Sequence, residues 1–166
     1  GYYFVTICTR NSSSYFGEVV AEKVELSEIG ICARRFWIEI PEHFSNISLD
    51  EYVVMPNHVH GIFVIQEPEK TVETLHATSL HERQGSMSNI FPKPGSLSAI
   101  VRSYKSAVTR WVRKNGYSSF AWQPRFYDHI IRNDESLDEI RRYIRNNPLE
   151  WDLDKDHPKN NKGNPV

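Results

Sequence analysis

Four stretches patterned as strands and two longer ones spaced as helices follow the order strand, helix, strand, strand, helix, strand. That order predicts an α+β domain of the split βαβ, or ferredoxin-like, kind: an antiparallel sheet with helices on one face. One added C-terminal helix, which carries Tyr143, follows the last strand. Two stretches carry most of this reading. Residues 52–66 (YVVMPNHVHGIFVIQ) set two apolar runs on either side of a Pro56-Asn57 turn signal, the pattern of paired antiparallel strands. Residues 96–114 place Leu97, Ile100, Val101, Tyr104, Val108, Trp111 and Val112 on one helical stripe.

The remaining elements follow in order. Residues 2–9 (YYFVTICT) are aromatic and β-branched, apolar on both faces, and belong in the middle of a sheet. Residues 10–17 form a polar loop, and 19–24 suit a short edge ribbon. A helix is expected over 27–44, capped by Ser27, with Ile29, Cys32, Ala33, Phe36, Trp37 and Ile40 as its apolar face; Pro41 ends or kinks it. The next strand spans 47–55. Because Pro56 cannot take a positive φ, its connection to the following strand is expected to be wider than a two-residue primed turn. Residues 67–95 are polar, with Pro68, Pro92 and Pro94, and are expected to be a long flexible loop in which His76 and His81 have no ligating role. The fourth strand is expected from about Arg125. A last helix, capped by Asn133 or Asp134, runs to about Asn146 with Leu137, Ile140 and Ile144 facing the core and Pro148 stopping it. Residues 1–151 are thus expected to form one catalytic domain, and 152–166 a loose tail.

A chain of 166 residues is large enough for a substantial core. No apolar run reaches membrane-spanning length and no signal-peptide pattern is present, so no membrane partner is expected. Two cysteines, Cys8 and Cys32, without C-x-x-C spacing fit a reduced cytoplasmic setting. The chain opens on Gly1 and enters a strand at once, which points to residues preceding this start. Its net charge of −1 argues against nonspecific coating of DNA. Residues 96–145, however, hold ten Lys or Arg against five Asp or Glu, enough for a local phosphate-binding surface. Within the 96–114 helix, which has no acidic residue, Arg102, Lys105, Arg110 and Arg113 are the candidate DNA contacts, joined by Arg125 before the last strand.

Side chains two apart on a strand share a face, so His58 and His60 project together, with Ile62 and Val64 beyond them. Two neutral imidazoles side by side can chelate one divalent metal. An isolated H-x-H is more often a pair of satisfied or exposed histidines. This pair opens a strongly apolar strand directly after a turn, with a suitable nucleophile downstream. An exposed pair of this kind adds little to the core. Tyr143 and Asn147 lie four apart on the last helix and border its core stripe. Packing and capping are their ordinary roles. Together with the histidines, Asn147 can hold Mg²⁺ or Mn²⁺ against a phosphodiester, and Tyr143 can supply the attacking oxygen.

The segments MPNHVHG, the basic helix around Lys105, WQPRFYDHIIRN and RRYIRNNP together resemble the REP-associated tyrosine transposases, members of the single-tyrosine HUH superfamily. The resemblance runs from Tyr2 to about Trp151. It implies a ferredoxin-like fold acting on single-stranded, hairpin-forming DNA at the bacterial nucleoid. It also implies that His58 and His60 are paired metal ligands, that Tyr143 forms a 5′-phosphotyrosine link and releases a 3′-OH, and that Asn147 is the third ligand. Related insertion-sequence enzymes often carry Gln at that last position, and Pro148 biases Asn147 away from helical geometry. Tyr127 is the rival nucleophile. A homodimer is possible, since insertion-sequence relatives often share active sites, although the REP-associated group need not. Two other readings stand beside this one: a noncatalytic single-stranded nucleic-acid-binding module that uses the basic helix with exposed Trp122 and Phe126, and a structural Zn²⁺ site, disfavoured because no four N/S ligands are in view.

Overall fold

The sheet forms around β1 (Tyr2–Cys8), whose four consecutive buried positions demand a neighbour on each edge and a layer on each face. β1 pairs antiparallel with both β5 (His58–Ile65) and β6 (Tyr127–Ile131), while β4 (Ile47–Met55) completes the order β4-β5-β1-β6. This is the expected split βαβ arrangement, seen in a computed structural model that describes residues 1–66 and 92–160. The long-loop expectation, with His76 and His81, lies outside the described residues except at 92–95.

Alternation sorts the two faces. Val5, Ile7, Val59 and Phe63 pack under α1 (Glu28–Ile38) and α3 (Leu97–Lys114), with Trp37, Ile100, Tyr104 and Val108. Phe4 and Ile62 pack on the opposite face under α4 (Asp134–Asn146), with Leu137 and Ile144. Ser27 caps α1 by accepting from Gly30 N at 3.1 Å, and Asn133 caps α4 by accepting from Ser136 N at 2.8 Å. Pro41 breaks the first helix at Glu39, so a short α2 (Ile40–His43) follows it. The edge ribbon is a hairpin of β2 (Gly17–Val20) and β3 (Lys23–Leu26).

Trp37 lies flat against β5 because Gly61 leaves room for it. A Cβ built on Gly61 meets Trp37 Cζ2 at 2.2 Å. The fully buried indole has nowhere to retreat, so Gly61→Ala is expected to lower stability by about 1–3 kcal/mol in chemical denaturation, through overpacking alone.

Two expectations are corrected. Met55 pairs directly with His58, so Pro56-Asn57 is a two-residue connection, and neither residue has a positive φ. Neighbouring chain holds it: Thr9 N donates to Asn57 O and Phe16 N to Pro56 O, both at 2.9 Å. The chain after Trp151 is not loose up to Asn160. Trp151, Asp154 and His157 are buried, the Trp151 and His157 rings lie 4.7 Å apart, and a 3-10 turn (Trp151–Leu153) folds the segment back onto the α4 face.

The register of β4 on β5 shifts between Leu49 and Tyr52. In that irregularity, Asp50 and Glu51 meet α4. Arg141 donates to Asp50 Oδ1 from Nε at 3.0 Å and to Oδ2 from Nη2 at 2.6 Å; Arg145 Nη1 donates to Glu51 at 2.9 Å. The Arg141 hydrogen bonds hold the Asp50 carboxyl below its ordinary value of 3.8. A lowered carboxyl adds stability above its unfolded pKa and loses it as pH falls through the folded one. Asp50→Asn is therefore expected to cost about 1 kcal/mol at pH 7 and nothing in strong acid, as read by urea melts across pH.

Candidate active site

β5 begins at His58, and its alternation turns His58 and His60 toward α4 with ring centroids 4.3 Å apart. The pair is not exposed as expected: His58 is 0% and His60 1% accessible, between Phe4, Trp151 and Tyr143. The cause lies in α4 and the returning chain, which cover this face of the sheet. Asn57 spends its amide hydrogens on Ser12 O (3.2 Å) and Asp156 O (2.6 Å), so its Oδ1 accepts from His58 Nδ1 at 2.8 Å. That sets the His58 tautomer and leaves Nε2 as a bare lone pair, buried and without a hydrogen-bond partner. His60 Nδ1 bonds Thr6 Oγ1 at 2.9 Å, which turns its Nε2 toward α4.

Burial lowers the pKa of both imidazoles. For His60 the neighbouring His58 and Lys155 add to the effect, whereas Asp156 and Asp154 partly oppose it at His58. Both rings are thus neutral at neutral pH, the state that ligates metal.

Tyr143 projects from α4 over this pair, and its hydroxyl lies 3.3 Å from His60 Nε2. Its ring packs edge-on to Phe4 while the residue as a whole is 37% accessible, so the side chain is held in place and still reaches solvent. Burial first, and then Asp154 and Asp156, push the phenol above its ordinary 10. The rival, Tyr127, sits on β6 opposite Thr6 with its ring under the Lys155 ammonium at 5.5 Å.

Asn147 ends α4 in helical geometry (φ −56°, ψ −39°) despite the following Pro148. Its amide nitrogen donates to Asp154 Oδ2 at 2.6 Å, and its Oδ1 is buried without a partner. Asp154 is the residue that sequence reasoning missed, because it lies in the segment taken for a tail. Its signal is the run WDLDKDH (residues 151–157), where acids alternate between two bulky residues that favour burial. Ligand atoms of His58, His60 and Asp154 all lie within 4.8 Å of one another. Two orphaned lone pairs, each costly to bury, and a mixed N/O donor set that includes a carboxylate fit one divalent ion such as Mn²⁺ or Mg²⁺. They do not fit a closed N/S zinc site.

The candidate DNA contacts Arg102, Lys105, Arg110, Arg113 and Arg125 line one groove of about 690 Å³ beside α3, with Phe126. The groove lies on the sheet face opposite the histidines. Lys105 has a structural task as well: its Nζ donates to Gln123 O (2.8 Å) and Arg125 O (3.0 Å), holding the segment before β6. Trp122, expected to be exposed, is buried among Phe16, Tyr104 and Phe120 and donates to Lys105 O at 3.1 Å. Among the described residues no helix is long and apolar enough to cross a membrane.

No protein-family model matches the chain. It is 37% identical over 159 residues to an uncharacterized protein of Haemophilus influenzae, an overlap that spans 93% of this chain and 84% of that protein. Its fold is similar to a solved REP-associated tyrosine transposase bound to a REP hairpin, with a TM-score of 0.60 and 22% identity over 93% of this chain and 70% of that one. The chain therefore belongs to the same family as the Haemophilus influenzae protein and is built on the fold of the REP-associated tyrosine transposases.

Proposed function

We propose that this protein is a transposase-type enzyme that cleaves and rejoins single DNA strands through Tyr143. One observation carries the reading: the hydroxyl of a half-exposed tyrosine stands 3.3 Å from His60, a buried imidazole whose ligand atom lies within 4.8 Å of those of His58 and Asp154, while Asn147, bonded to Asp154, keeps a buried Oδ1 without a partner. A purely binding module has no use for such a cluster, which is costly to bury unfilled.

His58, His60, Asp154 and Asn147 would hold a divalent metal, which would supply Lewis-acid polarisation and charge neutralisation of the phosphodiester. The chain supplies the rest. Asn57 and Thr6 orient the imidazoles, Asp154 orients the Asn147 amide, and α4 aims the nucleophile. The Tyr143 Oη–P bond forms as the P–O3′ bond breaks, which leaves a 5′-phosphotyrosine and a 3′-OH. The phenolic proton leaves on the open side of the ring, and the departing 3′ oxygen takes one up. Rejoining reverses these steps with a 3′-OH as nucleophile.

Because the neighbour on this fold was solved with a REP hairpin, a hairpin with unpaired flanks is the proposed substrate. The Tyr143 hydroxyl reaches to 3.3 Å from His60 of its own chain, so we infer that the site works in cis. The test is a denaturing gel after incubation with labelled hairpin DNA and Mn²⁺ or Mg²⁺. A covalent protein–DNA band is expected, and its absence with both metals would leave only the noncatalytic binding module.

A further inference from the structure

A second cleft, of about 840 Å³, runs beside the site between β1, the Arg10–Ser12 turn, residues 123–127 and the returning chain at Lys155 and Asp156. Its floor includes Thr6, whose hydroxyl orients His60. Its far wall, Arg125 and Phe126, is also a wall of the basic groove beside α3. These two residues stand just before the edge strand β6, where the α4 side of the sheet turns into the α3 side.

Two features mark this cleft as more than surface relief. Backbone strain collects in its walls: Asn11 (φ 56°), Ser12 (φ 54°) and Arg125 (φ 68°) adopt left-handed conformations that L residues other than glycine seldom take. Arg125 is kept there by the Lys105 hydrogen bond to its carbonyl. The lining also carries Arg10, Arg125 and Lys155 against the single carboxylate of Asp156. The Asp156 backbone is tied down, its carbonyl accepting from Asn57 and its amide donating to Asp154, and its carboxylate Oδ2 is buried, so the cleft keeps an excess of positive charge. Tyr127, 55% accessible, offers a ring face within the same cleft.

We propose that this cleft seats the unpaired strand next to the scissile phosphate, with Arg10, Arg125 and Lys155 on its phosphates and Tyr127 stacked on a base, and leads that strand around the β6 edge into the basic groove of α3. The inference rests on the reading of Tyr143 as the nucleophile, but it concerns different residues. Cations along a narrow cleft track a single-stranded backbone, while a stacked aromatic tolerates any base. The cleft thereby explains why Tyr127 lies near the site without serving as the nucleophile.

The test compares two labelled hairpins, one blunt and one with a short unpaired flank, by fluorescence anisotropy on the full chain across salt concentrations. Wild type is expected to favour the flanked hairpin. Arg10→Ala, Arg125→Ala and Lys155→Ala together should erase that preference, and Arg10→Ala with Lys155→Ala, which leaves the lining of the α3 groove intact, should reduce it while keeping blunt-hairpin affinity within about twofold. Each removed contact should lower the salt slope for the flanked hairpin by about 0.7. Tyr127→Leu should weaken the flanked hairpin about tenfold or more without changing that slope. Circular dichroism confirms that the variants fold. An unchanged flank preference in the folded triple variant overturns the proposal, and so does a wild-type preference for the blunt hairpin. Should the covalent band form without any flank preference, the cleft proposal fails and the nucleophile reading stands. A flank preference that depends on these residues without a covalent band has the opposite meaning.

Discussion

Tyr143→Phe is expected to abolish the covalent DNA adduct and strand cleavage, a loss of more than about a thousandfold, with near-normal folding and DNA binding. The substitution removes one oxygen and keeps the ring that packs on Phe4 and His60. The bond it loses is a long, half-open one at 3.3 Å, so melting should move by no more than about 0.5 kcal/mol. Chemistry is affected far more. The phenol is a poor nucleophile at its ordinary pKa, and burial with two nearby carboxylates makes it poorer still until positive charge enters the site. Tyr143 is the one tyrosine of α4, and its hydroxyl is the one that reaches His60. Tyr127→Phe is the control and should still form the adduct, because that hydroxyl serves no step in the proposed reaction. An adduct that survives in Tyr143→Phe and vanishes in Tyr127→Phe would move the nucleophile to β6. The same variant carries a second readout: with the Tyr143 hydroxyl gone, His60 Nε2 has no competing proton donor, so Mn²⁺ affinity should hold or rise.

The second large effect belongs to Asp154. Asp154→Asn should weaken Mn²⁺ binding by about a hundredfold, and ending the chain after Trp151 should do the same. Calorimetric titration with Mn²⁺ reads this without any DNA. The physical reason is charge: two neutral imidazoles and an amide attract a divalent ion weakly, and Asp154 is the one carboxylate in the cluster. Its exchange for an amide also leaves two donors facing each other where Asn147 Nδ2 now meets an acceptor at 2.6 Å, unless the new amide flips. Asp152→Asn is the control, because Asp152 is almost fully exposed. His58→Ala should abolish cleavage as well. It also empties a fully buried position and strands Asn57 Oδ1, so a stability loss of about 1–3 kcal/mol is expected with it. Full Mn²⁺ affinity in Asp154→Asn would return the third-ligand role to Asn147 alone.

Periodicity by itself determined a large part of this protein. A two-residue repeat put His58 and His60 on one face of β5 and sent Val59 and Phe63 to the other. A helical repeat put Leu137, Ile140 and Ile144 on the sheet and Tyr143 and Asn147 at the margin of that stripe. The element order was enough for the split βαβ sheet, since each of these signals is local and survives without knowledge of neighbours. What covers the histidines is a long-range matter. Trp151, Asp154 and His157 lie in a short segment with neither repeat, and only their return to the α4 face reveals that they close the site. The two-residue Pro56-Asn57 connection is likewise held by Thr9 and Phe16 from another part of the chain. Lys105 and Trp122 read as DNA contacts while their partners, the carbonyls before β6 and the rings of Phe16 and Phe120, were distant in sequence. Local pattern dictates which way a side chain points; burial, ligand count and the partner of each polar atom depend on contacts that only the folded chain brings together.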